Sequence, residues 1–155
     1  MYSMIKIYPE SAEQLTTAKD IHNYIMGGRG IVRLEAPSGT HHYYMFRKPA
    51  NSDDFPDDVV FVYAIHDMTK KFYVGMVEEN KFRLTRNSRF LGDTDIVKGA
   101  YYIMRMSKSQ ELVDKTPMKL YHAGVCAFCG RQLTSEKSIK IGIGPKCKKQ
   151  RLNHE

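Results

Sequence analysis

The chain has no tryptophan, only three cysteines and no long apolar run. Each absence excludes something. Three cysteines cannot close a set of disulfides, so a secreted disulfide scaffold is ruled out. The longest uninterrupted apolar stretch, residues 59–65, spans seven positions, against the ~20 that a membrane-spanning helix needs. Residues 1–9 have neither a basic start nor an apolar stretch, so no secretory leader is expected. Internal repeats and low-complexity tracts are also missing. No serine, histidine and carboxylate grouping carries a local catalytic signature. An enzyme is therefore the third reading, one that would need a deep pocket lined by His41, His42 or His66 with carboxylates.

What is present suits a folded protein. Hydrophobic residues make up 42% of 155 positions, too many for a disordered chain. Charge is uneven along the chain. Residues 1–106 hold 14 Lys/Arg against 13 Asp/Glu, whereas residues 107–155 hold 10 against 4. The basic excess sits in the last third, together with all the cysteines. Such asymmetry fits either an acidic partner for that part, nucleic acid being the commonest, or a solvated tail that gives solubility, and charge alone does not separate the two.

Periodicity divides the chain into an α+β domain over 1–106, a polar connector over 107–116 and a basic module over 117–155. Residues 4–8 read as a strand. Ser11 with Gln14 forms a capping-box pattern, and Leu15, Ala18, Ile21 and Ile25 recur at helical spacing until Gly27 and Gly28. A period of two then sets in. Residues 32–36 and 40–48, joined by Pro37-Ser38-Gly39, predict a hairpin. Residues 59–66 predict a central strand covered on both faces, 71–77 and 81–86 two more strands, and 94–104 a second helix. The expected architecture is an antiparallel sheet of five or six strands with two helices, followed by a small zinc ribbon.

The ribbon rests on Cys126-Ala127-Phe128-Cys129-Gly130 and on Cys147. Two cysteines separated by two residues can ligate one ion from a tight turn, and Gly130 relaxes the backbone past the second sulfur; the competing reading is buried small residues, with Cys126 and Cys129 as a redox pair. The Gly142-Ile143-Gly144-Pro145 turn can aim Cys147 at the same ion. Tetrahedral zinc takes a fourth ligand. His122, four residues before Cys126, is favoured, with His154 in the tail as its competitor. A unit of about 40 residues with few large apolar groups usually needs a metal to fold alone, and a structural zinc contributes roughly 10–16 kcal/mol of apparent binding energy. A site of three thiolates and one imidazole would be closed to water, so hydrolytic chemistry is not expected of it.

The stretch from His122 through Cys126-Ala-Phe-Cys129-Gly-Arg-Gln-Leu-Thr134 to Gly142-Ile-Gly-Pro-Lys-Cys147 resembles a small zinc-ribbon domain of unknown function. That family is common in bacteriophage proteins and occurs beside some Swi/Snf-type helicases. The resemblance covers about 26 residues and implies one structural zinc on His122, Cys126, Cys129 and Cys147. It also implies a phage-encoded protein working in the cytoplasm of a bacterial host.

Weaker signals have ordinary explanations. Gly27-Gly28-Arg29-Gly30 contains the Gly-x-x-Gly of a KH loop, but a strand follows it, so a helix cap is the better reading. His42, Tyr44 and Phe46 would share one strand face and could stack bases if exposed, although aromatics equally fill sheet cores. Asp53, Asp54, Asp57 and Asp58 form an acidic loop without a glycine pivot, which suits a solvated turn better than a calcium site. Arg83, Arg86 and Arg89 do not share a strand face.

Two functional readings follow. The first is a non-enzymatic zinc-containing binding protein that meets nucleic acid, or a nucleoprotein, through Lys137, Lys140, Lys146, Lys148, Lys149 and Arg151. The second is a phage inhibitor of a host protein, of the anti-defence or anti-CRISPR type, binding stoichiometrically through the N-terminal sheet and its acidic loop.

Overall fold

The computed structural model describes residues 4–49, 55–56 and 58–151, without the side chains of 149–151. Asp53, Asp54, Asp57 and His154, and the side chains of Lys149 and Arg151, thus lie outside the described residues.

The fold is α+β. Its antiparallel strands are β1 (Glu13–Gln14), β2 (Arg29–Glu35), β3 (His41–Arg47), β4 (Val60–His66), β5 (Lys70–Glu78), β6 (Lys81–Arg83) and β7 (Lys119–His122). Their order across the single sheet is β1-β7-β2-β3-β4-β5-β6. The helices are α1 (Ala18–Ile25), α2 (Asp95–Met106), α3 (Gln110–Lys115), α4 (Glu136–Ile141) and α5 (Pro145–Arg151).

Local chemistry explains most boundaries. Glu79 and Asn80 take left-handed backbone as the two-residue loop of the β5–β6 hairpin, the geometry that matches strand twist. Thr94 caps α2 by accepting from the Val97 N–H at 3.4 Å, which releases the buried stripe Val97, Ala100, Ile103 and Met104 onto the sheet. Gly99 on that stripe is required by close approach, because a Cβ there would lie 2.1 Å from the Tyr44 hydroxyl.

The N-terminal expectations need correction. Residues 4–8 are not a strand of the sheet. They cross its outer face, where Ile5 and Ile7 pack near Ile31 and Met45 and the Tyr8 N–H donates to the Ala123 carbonyl at 2.8 Å. Ser11 does not cap a helix. It ends a 3-10 turn, Pro9–Ser11. Residues 13 and 14 pair with β7, and the Leu15 N–H donates to the Leu120 carbonyl at 2.8 Å. The helix starts later, at Thr17, whose hydroxyl accepts from the Asp20 N–H at 3.1 Å. Pairing with β7 satisfies the backbone that a longer helix would have used.

β4 is not covered on both faces. Val60, Val62 and Ala64 are buried, while Phe61, Tyr63 and Ile65 are only half-buried. The connector contains α3. Gln110 on α3 accepts from the Ala18 N–H at 2.7 Å and donates to the Thr16 carbonyl at 3.2 Å, so it caps α1 from 92 residues away.

The seventh strand comes from the C-terminal unit. β7 lies between β1 and β2, with Leu120 opposite Leu34. Cys126, Ala127, Leu133 and Ile143 belong to the same apolar cluster as Val32, Phe46 and Ile103. Residues 117–151 therefore share a sheet and a core with residues 4–106. Their scarcity of large apolar groups is met by borrowing a neighbour's core, which removes the size argument for a metal.

Candidate metal centre

The strand β7 delivers the chain to a short hairpin. Val125 pairs with Gln132, the Cys126 N–H donates to the Arg131 carbonyl at 2.8 Å, and the Gly130 N–H returns to the Cys126 carbonyl at 2.9 Å. This turn carries Cys126 and Cys129. The helix α4 follows, capped by the Ser135 hydroxyl on the Ser138 N–H at 3.2 Å. It ends at Gly142, which is left-handed at φ 79°. A Cβ there would also lie 2.5 Å from the Tyr24 ring, so both backbone and space require glycine. Pro145 opens α5, and Cys147 sits in its first turn.

The sulfur atoms of Cys126, Cys129 and Cys147 all lie within 4.8 Å of one another. Cys126 is buried, and Cys129 reaches the surface. The Gly144 N–H donates to the Cys126 sulfur at 3.3 Å. Burial pushes the Cys126 thiol up, but N–H groups of Gly144, Cys129 and Phe128 aimed at the sulfur outweigh it and hold the thiol below its ordinary value. Cys147 is pushed up to about 12, first by burial and then by the negative charge on Cys126. Three thiols this close shed all their protons only when a cation offsets the charge. The donor set thus fits a thiophilic divalent ion: three soft sulfurs, with backbone N–H groups already oriented to one of them.

His122, the fourth ligand expected from the sequence, lies outside this group of three converging sulfurs. Its ring is fully buried and stacks on Tyr24, with centroids 5.6 Å apart. Nδ1 accepts from the Gly124 N–H at 3.0 Å, and Nε2 donates to the Ile139 carbonyl. Both nitrogens are used, and the imidazole ties β7 to α4. Burial lowers its pKa, partly offset by the Ile139 carbonyl. Among the described residues, three ligand atoms converge here. Beside the thiols lies a cleft of about 410 Å³, lined among others by Arg131, Thr134, Ser138 and Lys146.

Tyr24 holds the centre to the sheet, and the sequence offered no sign of that role beyond its helical register. Its hydroxyl donates to the Val125 carbonyl at 2.8 Å and accepts from the Ile31 N–H at 3.3 Å. The Gly27-Gly28 pair is a helix terminus, and it is also a docking point. A Cβ on Gly27 would lie 2.7 Å from Ala127, and the Arg29 N–H donates to the Ala127 carbonyl at 2.7 Å.

The remaining candidates scatter. Lys137, Lys140, Lys146 and Lys148 are exposed on α4 and α5, and none pairs with a carboxylate among the described residues. His41 is exposed against the Gly39 carbonyl at 3.1 Å. His42 lines a small cleft with Asp95 and Lys98, and His66 pairs with Asp67 at 3.1 Å. The three histidines do not converge on one cavity. Tyr44 and Phe46 are fully buried, so they are core residues and present no stacking face. Asp58 accepts from the Glu79 N–H at 2.9 Å. No helix among the described residues is long and apolar enough to cross a membrane.

Residues 121–152 match the model of a family of unknown function, DUF6011. No curated protein and no solved structure matches the chain.

Proposed function

We propose that this chain is a non-enzymatic binding protein in which one zinc ion, held by Cys126, Cys129 and Cys147, cross-links the knuckle to α5. The resulting basic surface contacts nucleic acid or a nucleoprotein. The observation that carries the reading is the convergence of three sulfurs within 4.8 Å. Zinc there would supply a structural cross-link and the positive charge that lets all three thiols ionise. Lys137 and Lys140 stand one turn apart on α4, and Lys146 and Lys148 flank Cys147 on α5. Fixing α5 to the knuckle gathers these charges into one patch.

The resemblance of the ribbon motif to a family common in bacteriophage proteins supports a viral origin, and with it the bacterial cytoplasm as the place of action. Inhibition of a host protein is the second reading. Its proposed contact is the N-terminal sheet with its acidic loop; the exposed lysines of α4 and α5, none paired with a carboxylate among the described residues, favour the nucleic-acid reading.

Elemental analysis of the purified protein tests the metal, with one equivalent of zinc expected. Substitution by Co²⁺ should give sulfur-to-metal charge-transfer absorption that weakens in Cys147→Ser. Binding to duplex DNA tests the patch. If Lys149 and Arg151 join the four lysines, six neutralised phosphates give a log–log salt slope of about −5. A metal-free protein whose fold ignores chelators ends the first half of the reading, and a flat salt response ends the second.

A further inference from the structure

The outer face of the sheet carries a feature that the thiol centre does not explain. Residues paired across an antiparallel ladder share a face. Arg47 lies opposite Phe61, Tyr63 opposite Tyr73, and Phe61 opposite Met76. The 4–8 segment covers the face near Ile31 and Met45 and reaches the β4–β5 turn, where the Ile5 N–H donates to the Met68 carbonyl at 2.5 Å; toward the other end of β4 and β5, Phe61, Tyr73 and Met76 stay half-exposed. There the rings form a chain: Phe55 to Phe61 at 5.5 Å, Phe61 to Tyr73 at 6.0 Å and Tyr73 to Tyr63 at 5.8 Å.

Two grooves run over these rings, of about 820 and 640 Å³, and they share Phe61, Tyr63 and Lys71. Both fall within the size range of natural ligand clefts. The second continues past Arg47 and Lys48 to Arg29 and to Phe128 on the thiol knuckle. The first ends at Arg89. No carboxylate lines either groove among the described residues. The Lys71 ammonium sits over the Tyr63 ring at 4.8 Å. Partial burial, and then the neighbouring Arg47 charge, hold it below its ordinary range. Two cations are thus placed near one another with no acid between them, an arrangement that an anion would relieve.

We infer that this aromatic groove, edged by Arg29, Arg47, Lys48, Lys71 and Arg89, is a binding face for single-stranded nucleic acid. Unpaired bases stack on the Tyr63 and Phe61 region while the cations meet the backbone phosphates. A row of rings suits any base, because every base offers a π-face, and a cationic rim tracks the backbone. An acidic peptide would use the cations and leave the rings idle. A duplex would bury its bases away from them. The inference takes its class of partner from the nucleic-acid reading above, but it assigns a different surface.

The test uses the full-length zinc-loaded protein and a fluorescein-labelled single-stranded DNA 12-mer of mixed sequence, titrated at low salt. The wild-type protein should bind it in preference to the matching duplex. Loss of one stacking ring, Tyr63→Ala, should weaken binding roughly 5- to 100-fold, while Tyr63→Phe keeps it. Lys71→Glu, at an exposed side chain, should weaken binding without changing the melting temperature, which guards against a folding artefact at Tyr63. Binding unchanged in both Tyr63→Ala and Lys71→Glu overturns the inference. So does poly-glutamate that competes as well as the oligonucleotide. The paired variant Lys146→Glu with Lys148→Glu separates the two surfaces. If it alone abolishes binding, the ribbon reading stands and the groove falls. If it binds normally while Tyr63→Ala does not, the ribbon reading falls and the groove stands.

Discussion

The inner face of the sheet and the base of the thiol turn at Cys126 are both buried, yet they are held by different means. Under α1 and α2 the sheet presents Val32, Tyr44, Phe46, Val62 and Val74, all fully excluded from water. Shape and apolar area hold that face, and no ion is needed. The knuckle has Ala127, Leu133 and Ile143 as apolar anchors, and much of its geometry is backbone hydrogen bonding toward sulfur and carbonyl. Tyr24, His122 and Gly142 join the two regions. The lesson is that a small cysteine-bearing unit need not choose between a metal and a core. Here it docks on the larger core through β7, and its three sulfurs converge beside that core.

If that comparison is right, the two regions respond separately to substitution. The largest effect belongs to the thiols. Cys126→Ala should abolish Co²⁺ and zinc binding, removing an interaction worth roughly 10–16 kcal/mol in structural zinc sites. Hydrogen exchange should then accelerate in residues 124–147 while β4 and β5 stay protected. Equal loss of protection throughout would show that the regions are one cooperative unit.

Next comes the core. Phe46→Ala leaves a cavity under α1 and α2 and should cost about 3–5 kcal/mol in urea unfolding, with metal stoichiometry per folded molecule unchanged.

The joint is weaker but more informative. Tyr24→Phe removes the donor to the Val125 carbonyl and the acceptor of the Ile31 N–H. Stranding buried polar groups costs about 1–3 kcal/mol. This variant should lower both global stability and metal affinity, which neither of the preceding substitutions does together.

The smallest effect is pH dependence at His122. The imidazole is buried and its pKa is lowered, so above pH ~6.5 both folded and unfolded forms are neutral there. As pH falls below that value the unfolded chain takes up the proton and the folded one does not. Stability therefore declines with falling pH until the lowered folded value is passed. Urea midpoints between pH 8 and 5 should show this slope, and His122→Gln should flatten it.

Much of the β-rich middle was legible in the sequence. Alternation in 32–36 and 40–48, with a Pro-Ser-Gly turn between, is a local signal, and the hairpin β2–β3 has that register. The stripe of α2 was equally plain. Other elements were hidden for physical reasons. Residues 11–15 carry a helix-start pattern, but pairing with β7 satisfies their backbone from more than a hundred positions away. The apolar run 59–65 conceals an alternation, because its outward set, Phe61, Tyr63 and Ile65, is as hydrophobic as its inward one. An exposed aromatic set is thus invisible in that run, whereas alternation at 42, 44 and 46 marks a face whose Tyr44 and Phe46 are buried.

At the candidate site, cysteine spacing and a Gly-Pro turn are local chemistry, so the three sulfurs could be named from the chain alone. The fate of His122 could not. Four residues from Cys126 is within reach of a shared ion, and spacing cannot tell whether a ring nitrogen faces a sulfur or a carbonyl. Where local geometry dictates the outcome, as in caps, turns and the thiol pair, the linear order of residues determined this protein. Where the outcome depends on which distant group arrives to satisfy a donor, as at His122, Tyr24 and Gln110, only the packed chain decided it, because a hydrogen bond made at long range displaces any alternative the local sequence would have allowed.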